Sequence, residues 1–578
     1  MPTAQDELDF EALKPYQPRQ FVPLNANLQD LEQIKPLYQD LLSRNVSSAK
    51  DLEQSLLDRS ELEAALDQTG SILYIRMTCQ TDDPKRAQAY QEYIEKISPV
   101  ISELDDQLNR RYLDLLKQYP VDEKRYGIYN RKIKENISLF VKENIPLSTK
   151  VSLLSQEYQT ICGAMMVQFE GKERTMPEMG KFLLDPDRAL REKSWRAVAQ
   201  RRLKDKDKLE QIFDEMLVLR NQIAKNAGCR NFIEYKFRSL HRFDYTPQEC
   251  KEYHRSIEEI VIPVWRKVLE NRKKEMKLEK LRPWDTSVDP LGRSALKPFA
   301  EVHELISGCQ KVFAQIDPEL GAQFAQMADE HLLDLASRKG KAPGGYQSAL
   351  QETRKPFIFM NAVGIDGDVR TLLHEGGHAF HSLACSSDPL LDYRHGPMEF
   401  NEVASMAMEL LANDYLGVFY NAADHERSIK EHLEDVVFIL GWVAIVDAFQ
   451  HWIYENPSHK PQERREAWLT IYKRFGGDLV DWVGLEEEQA YLWHRQLHIF
   501  EVPFYYIEYG IAQLGALQVW RNAGKDLKKA VADYRRALAL GGSRPLPELY
   551  AQAGIRFDFS AQTIRPLMVA VQKELGLA

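Results

Sequence analysis

The chain has 578 residues, well beyond the ~250–300 residues at which a single hydrophobic core stops growing, so we expect two or more lobes. Apolar residues make up 44% and charged residues 28% of the chain, which excludes wholesale disorder. The net charge of −10 repels a phosphate backbone, so no nucleic-acid partner is expected.

Most of the sequence predicts helices, and the expected fold class is therefore mainly α. Residues 27–60 and 85–118 place apolar side chains three and four positions apart, with charged side chains between them. Thr246-Pro247-Gln248-Glu249 is a capping box with proline at the first helical position. Pro263 is expected to kink or break the helix that begins there.

Two segments predict strands instead of helices. Residues 163–175 are expected to form a hairpin that turns at Glu170-Gly171. The run Phe357-Ile358-Phe359-Met360 is strand-like, and Pro356 before it predicts a strand at a sheet edge. An ordinary structural hairpin explains this second segment equally well, but an edge strand can also accept an extended peptide as an added strand.

Residues 366–385 predict a helix that contains an H-E-x-x-H motif. His374 and His378 lie on one face of that helix, about 6 Å apart along its axis, so they can share one zinc ion. Glu375 is then placed to act as general base toward a zinc-activated water. The glycines at positions 376 and 377 each cost roughly 1 kcal/mol in a helix interior, so we expect a substrate or a packed neighbour to approach the backbone there.

A third protein ligand is expected downstream of this helix. The metzincin class requires glycine at position 381 and histidine at 384, where this chain has His381 and Ala384, so that class is excluded. A second helix is predicted from Pro397, and Glu402 on it is our expected third ligand, which would complete the His₂Glu set of a catalytic zinc. His381 and His395 are expected to be structural histidines.

Two further glutamates share the predicted helix with Glu402. Glu399 and Glu409 fall on the same face as Glu402. Carboxylates along a helix face are ordinarily solvated, but opposite a cation at least one of these is expected to hold a ligand histidine or Glu402 in place.

The cysteines and the most apolar stretch bear on location. Six cysteines without a C-x-x-C pair fit neither a zinc ribbon nor a disulfide framework, which favours a reduced, cytoplasmic compartment. The first ten residues have no secretory signal pattern. Residues 436–449 are shorter than the ~20 residues that cross a bilayer and contain Asp447, so they predict a buried core helix and no membrane partner.

The helix with the zinc motif and the segments around it resemble those of the thimet oligopeptidase and oligoendopeptidase F family of zinc metallopeptidases, in its Pz-peptidase-like branch. The resemblance is strongest over residues 340–410, in GKAPGGY, PFIFMN, DVRTLLHEGGHAFH and GPMEFNEVASM. It implies a bilobed helical shell around a deep substrate channel, with a small antiparallel β element beside the zinc helix. It also implies one zinc ion per chain, held by His374, His378 and Glu402, with Glu375 as general base.

The resemblance extends more weakly to residues 494–515. Tyr505, Tyr506 and Tyr509 stand at helical spacing after His498, and an aromatic core stripe is the ordinary interpretation of such a pattern. Family members place a histidine and tyrosines from this segment over the zinc, where they bind the substrate carbonyl and stabilise the oxyanion. The resemblance therefore implies catalytic roles for these residues, and whether Tyr505 or Tyr506 faces the zinc stays open.

Substrate alignment is expected from the segment before the zinc helix. Backbone hydrogen bonds from Gly344, Gly345, Tyr346 and Phe359 would hold a peptide while tolerating many side chains.

The predicted function is a zinc oligoendopeptidase that cuts internal bonds of short, unfolded peptides. We expect residues 1–205 to form a helical lobe that makes one channel wall, residues 206–578 to form the catalytic lobe, and the protein to be a monomer or small homo-oligomer. A zinc aminopeptidase competes with this prediction, because residues 396–400 resemble a G-x-M-E-N motif, although here the motif follows the zinc helix and ends in phenylalanine. A carboxypeptidase on a similar shell also competes with it, as does a non-catalytic helical peptide-binding protein, which would hold no stoichiometric zinc.

Overall fold

A computed structural model describes residues 9–338, 340–342 and 344–577 of the chain. Unit 1 comprises the described residues of Met1–Ser138, Lys297–Glu426 and Gly515–Phe557. Unit 2 comprises the described residues of Leu139–Leu296, Arg427–Leu514 and Asp558–Ala578. The predicted division at residues 205 and 206 falls inside unit 2, and its assignment of a channel wall and a catalytic lobe stays a prediction.

Helices form most of both units, so the predicted mainly α fold is confirmed. Those before residue 240 are α1 (Leu31–Ser43), α2 (Ala49–Cys79), α3 (Pro84–Glu92), α4 (Ser98–Gln118), α5 (Glu123–Leu139), α6 (Asn144–Gly163), α7 (Met176–Gly180), α8 (Arg188–Leu203), α9 (Lys206–Asn226) and α10 (Phe232–Ser239). The next are α11 (Pro247–Ser256), α12 (Ile262–Glu275), α13 (Val302–Ile316), α14 (Pro318–Asp329), α15 (Asp366–Ala384), α16 (Met398–Leu411), α17 (Ala422–Glu455) and α18 (Pro461–Tyr472). The last are α19 (Glu486–Ala490), α20 (Leu497–Glu501), α21 (Ile507–Ala523), α22 (Leu527–Leu538), α23 (Leu546–Gln552) and α24 (Ala561–Glu574).

The predicted capping box begins α11. The carboxylate of Glu249 accepts hydrogen bonds from the backbone N–H and the hydroxyl of Thr246 at 2.7 and 2.8 Å, and Pro247 is the first helical residue. After α11 the backbone widens into a π-helical turn at Ile257–Val261 before α12 continues, with Pro263 in its first turn. Because the proline cannot donate a backbone hydrogen bond, the α-helical pattern is interrupted by this π turn just before it. A bend of the helix axis at Pro263 stays a prediction.

Strands are few and short in the described residues. They are β1 (Met166–Phe169), β2 (Lys172–Thr175), β3 (Leu333–Ala336), β4 (Tyr346–Leu350) and β5 (Lys355–Ala362). The first two strands form the predicted antiparallel hairpin, and its turn residues Glu170 and Gly171 both have positive φ angles of 50° and 72°. Two consecutive positive φ angles are typical of the two-residue hairpin turn, which explains the glycine.

The other three strands form one sheet in unit 1, with β5 in the middle. β4 pairs with β5 antiparallel, as expected, and β3 pairs with it parallel on the other side. The prediction that Pro356 marks an edge strand is therefore wrong. The N–H of Ile358 points toward β3, so the nitrogen of Pro356, two residues earlier, points to the same side. Pairing with β3 begins only at Leu333 and Ile358, beyond the proline. The missing N–H of Pro356 therefore costs the sheet no hydrogen bond.

The most apolar helix is α17, which contains the stretch at residues 436–449. Among the described residues it is the one helix long and apolar enough to cross a membrane, and 78% of its most apolar window is buried inside the protein. Val437, Leu440, Val443 and Val446 are all fully buried. The predicted core helix is thus confirmed, and Asp447 is buried within it.

Candidate metal centre

The candidate metal centre lies in unit 1, where β5 leads directly into α15. The carboxylate of Asp368 accepts hydrogen bonds from the backbone N–H groups of Val363, Gly364 and Ile365 at 2.8, 2.8 and 3.0 Å. These bonds pair the backbone donors of the turn that leads into the helix, and a negative charge in the first helical turn interacts favourably with the helix dipole. The start of α15 is therefore fixed relative to the sheet.

Two histidines of α15 and one glutamate of α16 converge. Ligand atoms of His374, His378 and Glu402 all lie within 4.8 Å of one another. The Nε2 atoms of His374 and His378 lie 3.4 and 3.6 Å from Glu402 Oε2. Ligand atoms bonded at about 2.0–2.2 Å around a tetrahedral zinc are separated by roughly 3.3–3.6 Å. The donor types and their spacing thus fit a single zinc ion.

Each histidine has a second hydrogen-bond partner besides Glu402. Nδ1 of His374 lies 2.7 Å from Oε1 of Glu409, and His378 makes a backbone hydrogen bond to Asn401. The contact through Nδ1 leaves Nε2 of His374 directed at Glu402, the arrangement by which carboxylates fix metal-binding imidazoles. Burial alone would lower the pKa of His374, but Glu402 and Glu409 raise that pKa well above its usual value.

Glu402 is held as an ionised acceptor. Its side chain is buried, and the hydroxyl of Ser405 donates to Oε2 at 3.0 Å. Burial alone would raise the pKa of Glu402, but the two imidazoles and Ser405 outweigh it and hold the pKa below its usual value. A carboxylate that stays negative in a buried position is suited to bind a cation.

Glu375 is buried beside the sheet. Burial raises the pKa of its carboxyl group to about 7, and the carboxylate accepts a hydrogen bond from the backbone N–H of Gln347 in β4. Gln347 pairs with Ile358 of β5, whose own N–H points toward β3, so this pair is not hydrogen-bonded across β4 and β5. The polar groups of Gln347 therefore face the side of β4 away from β5, where Glu375 lies.

The glycine-rich segment before β4 is held in a defined conformation. Gly344 has a φ angle of +96°, which only glycine adopts readily. The amide of Asn361 donates to the carbonyls of Ala342 and Gly344 at 2.8 and 3.0 Å. A Cβ atom on Gly345 would lie 3.2 Å from the side chain of Thr371 and 3.4 Å from the carbonyl oxygen of Phe359. This places the segment against both the sheet and α15.

The two aromatic residues predicted to bind substrate pack against each other. The rings of Tyr346 and Phe359 stack at 4.8 Å, and the Tyr346 hydroxyl lies 2.6 Å from the hydroxyl of Thr78. Phe359 is fully buried, with the Lys341 ammonium 4.5 Å from its ring centre. Phe359 lies in the middle strand and pairs with Tyr346 of β4 and Asp334 of β3, so the predicted backbone hydrogen bonds from Phe359 to a peptide are wrong. The outer side of β4 is the better candidate.

The two glycines of the H-E-x-x-H motif face packed neighbours. A Cβ atom on Gly377 would lie 2.5 Å from the carbonyl oxygen of Ala404 and 2.6 Å from the Cα of Ser405, both in α16. A Cβ atom on Gly376 would lie 2.6 Å from the ring of Phe313. The predicted close approach to the backbone is therefore confirmed as a contact with packed neighbours within the fold.

The other candidates on these helices lie close by without joining the group. Glu399 is buried. Burial of Tyr550 and, to a lesser degree, the carboxylate of Glu399 raise the pKa of Tyr550 well above its usual value. His381 is buried beside Gly396, and burial lowers its pKa to about 3, so it is neutral. Neither His381 nor His395 belongs to a metal-binding group among the described residues.

The aromatic residues predicted to be catalytic form a cluster in unit 2. The ring of His498 lies 4.8, 5.8 and 5.9 Å from the rings of Tyr506, Tyr509 and Tyr505. Its Nδ1 lies 2.7 Å from the amide nitrogen of Gln496. Tyr506 is buried, which raises its pKa to about 12, whereas Tyr505 and Tyr509 are half-buried.

Sequence reasoning missed the backbone donor to Glu375. The N–H of Gln347 is available because of how β4 pairs with β5, and no residue type signals this. An alternating pattern in residues 346–350 would have been the only available signal for the strand.

Two family models match the chain. The model of "Peptidase family M3" matches residues 182–569, and that of the "Peptidase M3 N-terminal domain" matches residues 21–140. Among curated proteins, the chain is 26% identical over 301 residues to an oligoendopeptidase F homolog of Borreliella burgdorferi, covering 50% of this chain and 49% of the relative. It is 24% identical over 302 residues to oligopeptidase PepF of Bacillus subtilis, covering 51% and 44%. The chain thus spans about half the length of the curated relatives it matches.

Solved structures match over nearly the whole chain. A structure of Pz peptidase A with an inhibitor is 27% identical and superposes with a TM-score of 0.88 over 97% of this chain and 99% of that one. The oligoendopeptidase-F of Enterococcus faecium is 14% identical, with a TM-score of 0.64 over 95% and 96% of the two chains, so this likeness concerns the fold alone.

Proposed function

The chain belongs to peptidase family M3, and from this premise we propose that it is a zinc-dependent oligoendopeptidase that hydrolyses internal bonds of short, unfolded peptides. The family implies a metal cofactor, generally zinc. The observation that carries the proposal is the convergence of His374, His378 and Glu402 within 4.8 Å, with the carboxylate of Glu375 buried beside them. The proposal includes one zinc ion per chain, a cytoplasmic location, and a monomer or small homo-oligomer.

Each part of the centre has a separate task in this proposal. When bound, zinc acts as a Lewis acid and lowers the pKa of water toward about 7. Glu375 accepts the proton of the attacking water and passes it to the leaving amine. The hydrogen bond from Gln347 stabilises the ionised form of Glu375 that can accept this proton.

Peptide alignment falls to β4 in this proposal. The backbone of Gln347 faces away from β5, and an extended peptide could pair with such a strand through main-chain hydrogen bonds. Because these bonds involve no side chain, they would accept many sequences. Gly344, Gly345 and Tyr346 would shape the entry to this strand.

The family resemblance supports roles in oxyanion stabilisation for His498 and Tyr509. Of the two tyrosines left open by the sequence, we propose Tyr505 as the one that acts on substrate, because it is half-buried while Tyr506 is buried. Tyr509→Phe is expected to retain zinc and to lower turnover by ~10²–10³-fold, the usual cost of losing one oxyanion donor. Tyr505→Phe should lower turnover more than Tyr506→Phe, and the reverse order would refute this assignment.

The test uses peptides of known sequence with free termini and the same peptides acetylated and amidated, with products identified by mass spectrometry. An endopeptidase cuts both sets at the same internal bonds, whereas resistance of the blocked set would replace the proposal with an exopeptidase. Treatment with a chelator should abolish cleavage, and added zinc should restore it.

A variant at the general base tests the mechanism. Glu375→Gln should keep stoichiometric zinc and lose nearly all cleavage, because the amide cannot accept the proton. Glu301→Gln, an equivalent change at an exposed residue of unit 1, should leave both unchanged. A Glu375→Gln protein with wild-type turnover would overturn the role of this residue.

A further inference from the structure

A second group of metal-binding side chains is buried in unit 2 and shares no residue with the unit 1 centre. It comprises Cys250, His254, Asp447 and His451, of which none is more than 3% exposed. Ligand atoms of Cys250, Asp447 and His451 all lie within 4.8 Å of one another. We propose that these three residues bind a structural zinc-class metal ion, with His254 holding Asp447 in place.

Two helices each contribute a pair of these residues. Cys250 and His254 are four positions apart on α11, and Asp447 and His451 are four positions apart on α17. Residues four apart share one helix face, so the two pairs face each other. Facing pairs of this kind are how helical folds build internal metal sites.

The distances agree with those in the unit 1 centre. Nε2 of His451 lies 3.4 Å from Oδ2 of Asp447, the same separation as between His374 Nε2 and Glu402 Oε2. Nε2 of His254 lies 2.8 Å from the same oxygen of Asp447, a hydrogen bond of the kind that orients a metal-binding carboxylate.

Polar atoms in the group are left without partners. Within the described part of the chain, Asp447 Oδ1 and Nδ1 of His451 are buried and make no hydrogen bond, and Nε2 of His451 has Asp447 Oδ2 at 3.4 Å without the alignment of a hydrogen bond. Leaving a buried donor or acceptor unsatisfied costs about 1–3 kcal/mol, and more for a charged group. A cation bonded to Oδ1 and to one ring nitrogen would satisfy two of these three atoms.

The surroundings and the charges favour a transition metal. A thiolate and a carboxylate carry two negative charges, which a divalent ion would neutralise. The surroundings are apolar, since the rings of Phe237, Phe475 and Phe504 lie 5.1–6.3 Å from the two imidazoles. Sulfur and imidazole donors select zinc-class ions over calcium or magnesium, which prefer oxygen. Since the side chains are buried, the ion would link α11 to α17 and take no part in substrate turnover.

Cobalt(II) distinguishes this group from the unit 1 centre because only this group contains sulfur. The probe is the full chain with His374→Ala and His378→Ala, produced in cobalt-supplemented medium so that the ion is present during folding. We expect one cobalt per chain and a thiolate-to-cobalt charge-transfer band in the near ultraviolet. Absence of the band in this protein, whose Cys250 is intact, overturns the proposal.

Further variants assign the band to its residue. Cys250→Ser should abolish it and reduce bound cobalt from one per chain to none, while Cys229→Ser, at another buried cysteine of unit 2, should retain both. A band that survives Cys250→Ser refutes the site. If Cys250→Ser does not fold, His451→Gln keeps the thiol and should shift the band, and an unshifted band then refutes the proposed ligand set.

Discussion

The contact between Gly377 and α16 predicts a large effect from one added methyl group. Gly377 precedes His378 in α15, and Ala404 follows Glu402 by two residues in α16. In Gly377→Ala the Cβ atom would lie 2.5 Å from the Ala404 carbonyl oxygen and 2.6 Å from the Ser405 Cα. Because both contacts are with backbone atoms, no side-chain rotation relieves them, and the helices themselves must separate.

The size of this separation can be worked out from the distances. An ordinary contact begins at 3.4 Å, so the carbonyl contact is about 0.9 Å too short. Zinc-binding distances tolerate changes of only about 0.2 Å, so even a fraction of this movement displaces Glu402 from His374 and His378. Disturbing the support of a metal ligand typically lowers metal affinity ~10–100-fold, and we expect a loss in this range.

The effect on stability has two opposing parts. Alanine is favoured over glycine in a helix interior by about 1 kcal/mol, whereas overpacking a core costs about 1–3 kcal/mol. The metal-free Gly377→Ala protein should therefore be between equally stable and about 2 kcal/mol less stable than wild type. Chelator competition measures the zinc affinity, and urea unfolding of the metal-free protein measures the stability.

Gly367→Ala is the matched control on the same helix. The nearest atom to its added Cβ would be Ile365 Cδ1 at 3.9 Å, so this variant should bind zinc as wild type does. Wild-type zinc affinity in Gly377→Ala would refute the inference that close packing of α15 against α16 sets the position of Glu402.

Two other variants test contacts elsewhere. Glu409→Ala removes the acceptor 2.7 Å from His374 Nδ1 and should lower zinc affinity ~10–100-fold in a chelator competition, whereas Glu399→Ala should change it far less; equal losses would contradict this division of roles. Asp285→Ala removes the carboxylate that lies 3.0 Å from the fully buried guanidinium of Arg191. This should reduce the free energy of unfolding, measured in urea, by about 3–5 kcal/mol. A loss below about 1 kcal/mol would show that the ion pair is not needed for stability. Burial alone would raise the pKa of Asp285, but its arginine partners hold that pKa below its usual value. The contribution of this ion pair to stability is therefore fully present above the unfolded-state pKa of about 3.9. It is lost as the pH falls through the lower pKa that Asp285 has in the folded protein.

The candidate metal residues could be predicted because the motif is local and its chemistry is restrictive. The four-residue spacing of His374 and His378 already places both imidazoles on one helix face. Glu402 follows only 24 residues later on the next predicted helix, so few carboxylates could serve as the third ligand. The sequence favoured Glu399 over Glu409 as the supporting carboxylate, although both face the same way on a helix. The packing of α16 against α15, which the sequence does not show, brings Glu409 to Nδ1 of His374.

The position of β5 shows why strand order is harder to predict. Pro356 indicates an edge only in so far as proline cannot donate a ladder hydrogen bond. That property constrains one side of one residue, and β3 begins to pair only at Ile358, beyond the proline. The pairing partner comes from residues 333–336, which carry no pattern of their own that would identify them as a neighbour.

Asp447 illustrates a signal that the sequence did contain. A charged residue in the middle of an apolar core helix cannot be buried alone, because an isolated carboxylate in such surroundings would cost several kcal/mol. Its partners must therefore exist, and one of them, His451, stands at the four-residue spacing on the same helix. The other, His254, is 193 residues away in sequence, yet it also has a metal-binding residue four positions from it. An isolated acid in an otherwise apolar helix thus indicates a buried cation or a buried base nearby. Its partner residues are expected one turn along the same helix and in other pairs of metal-binding residues with the same four-residue spacing.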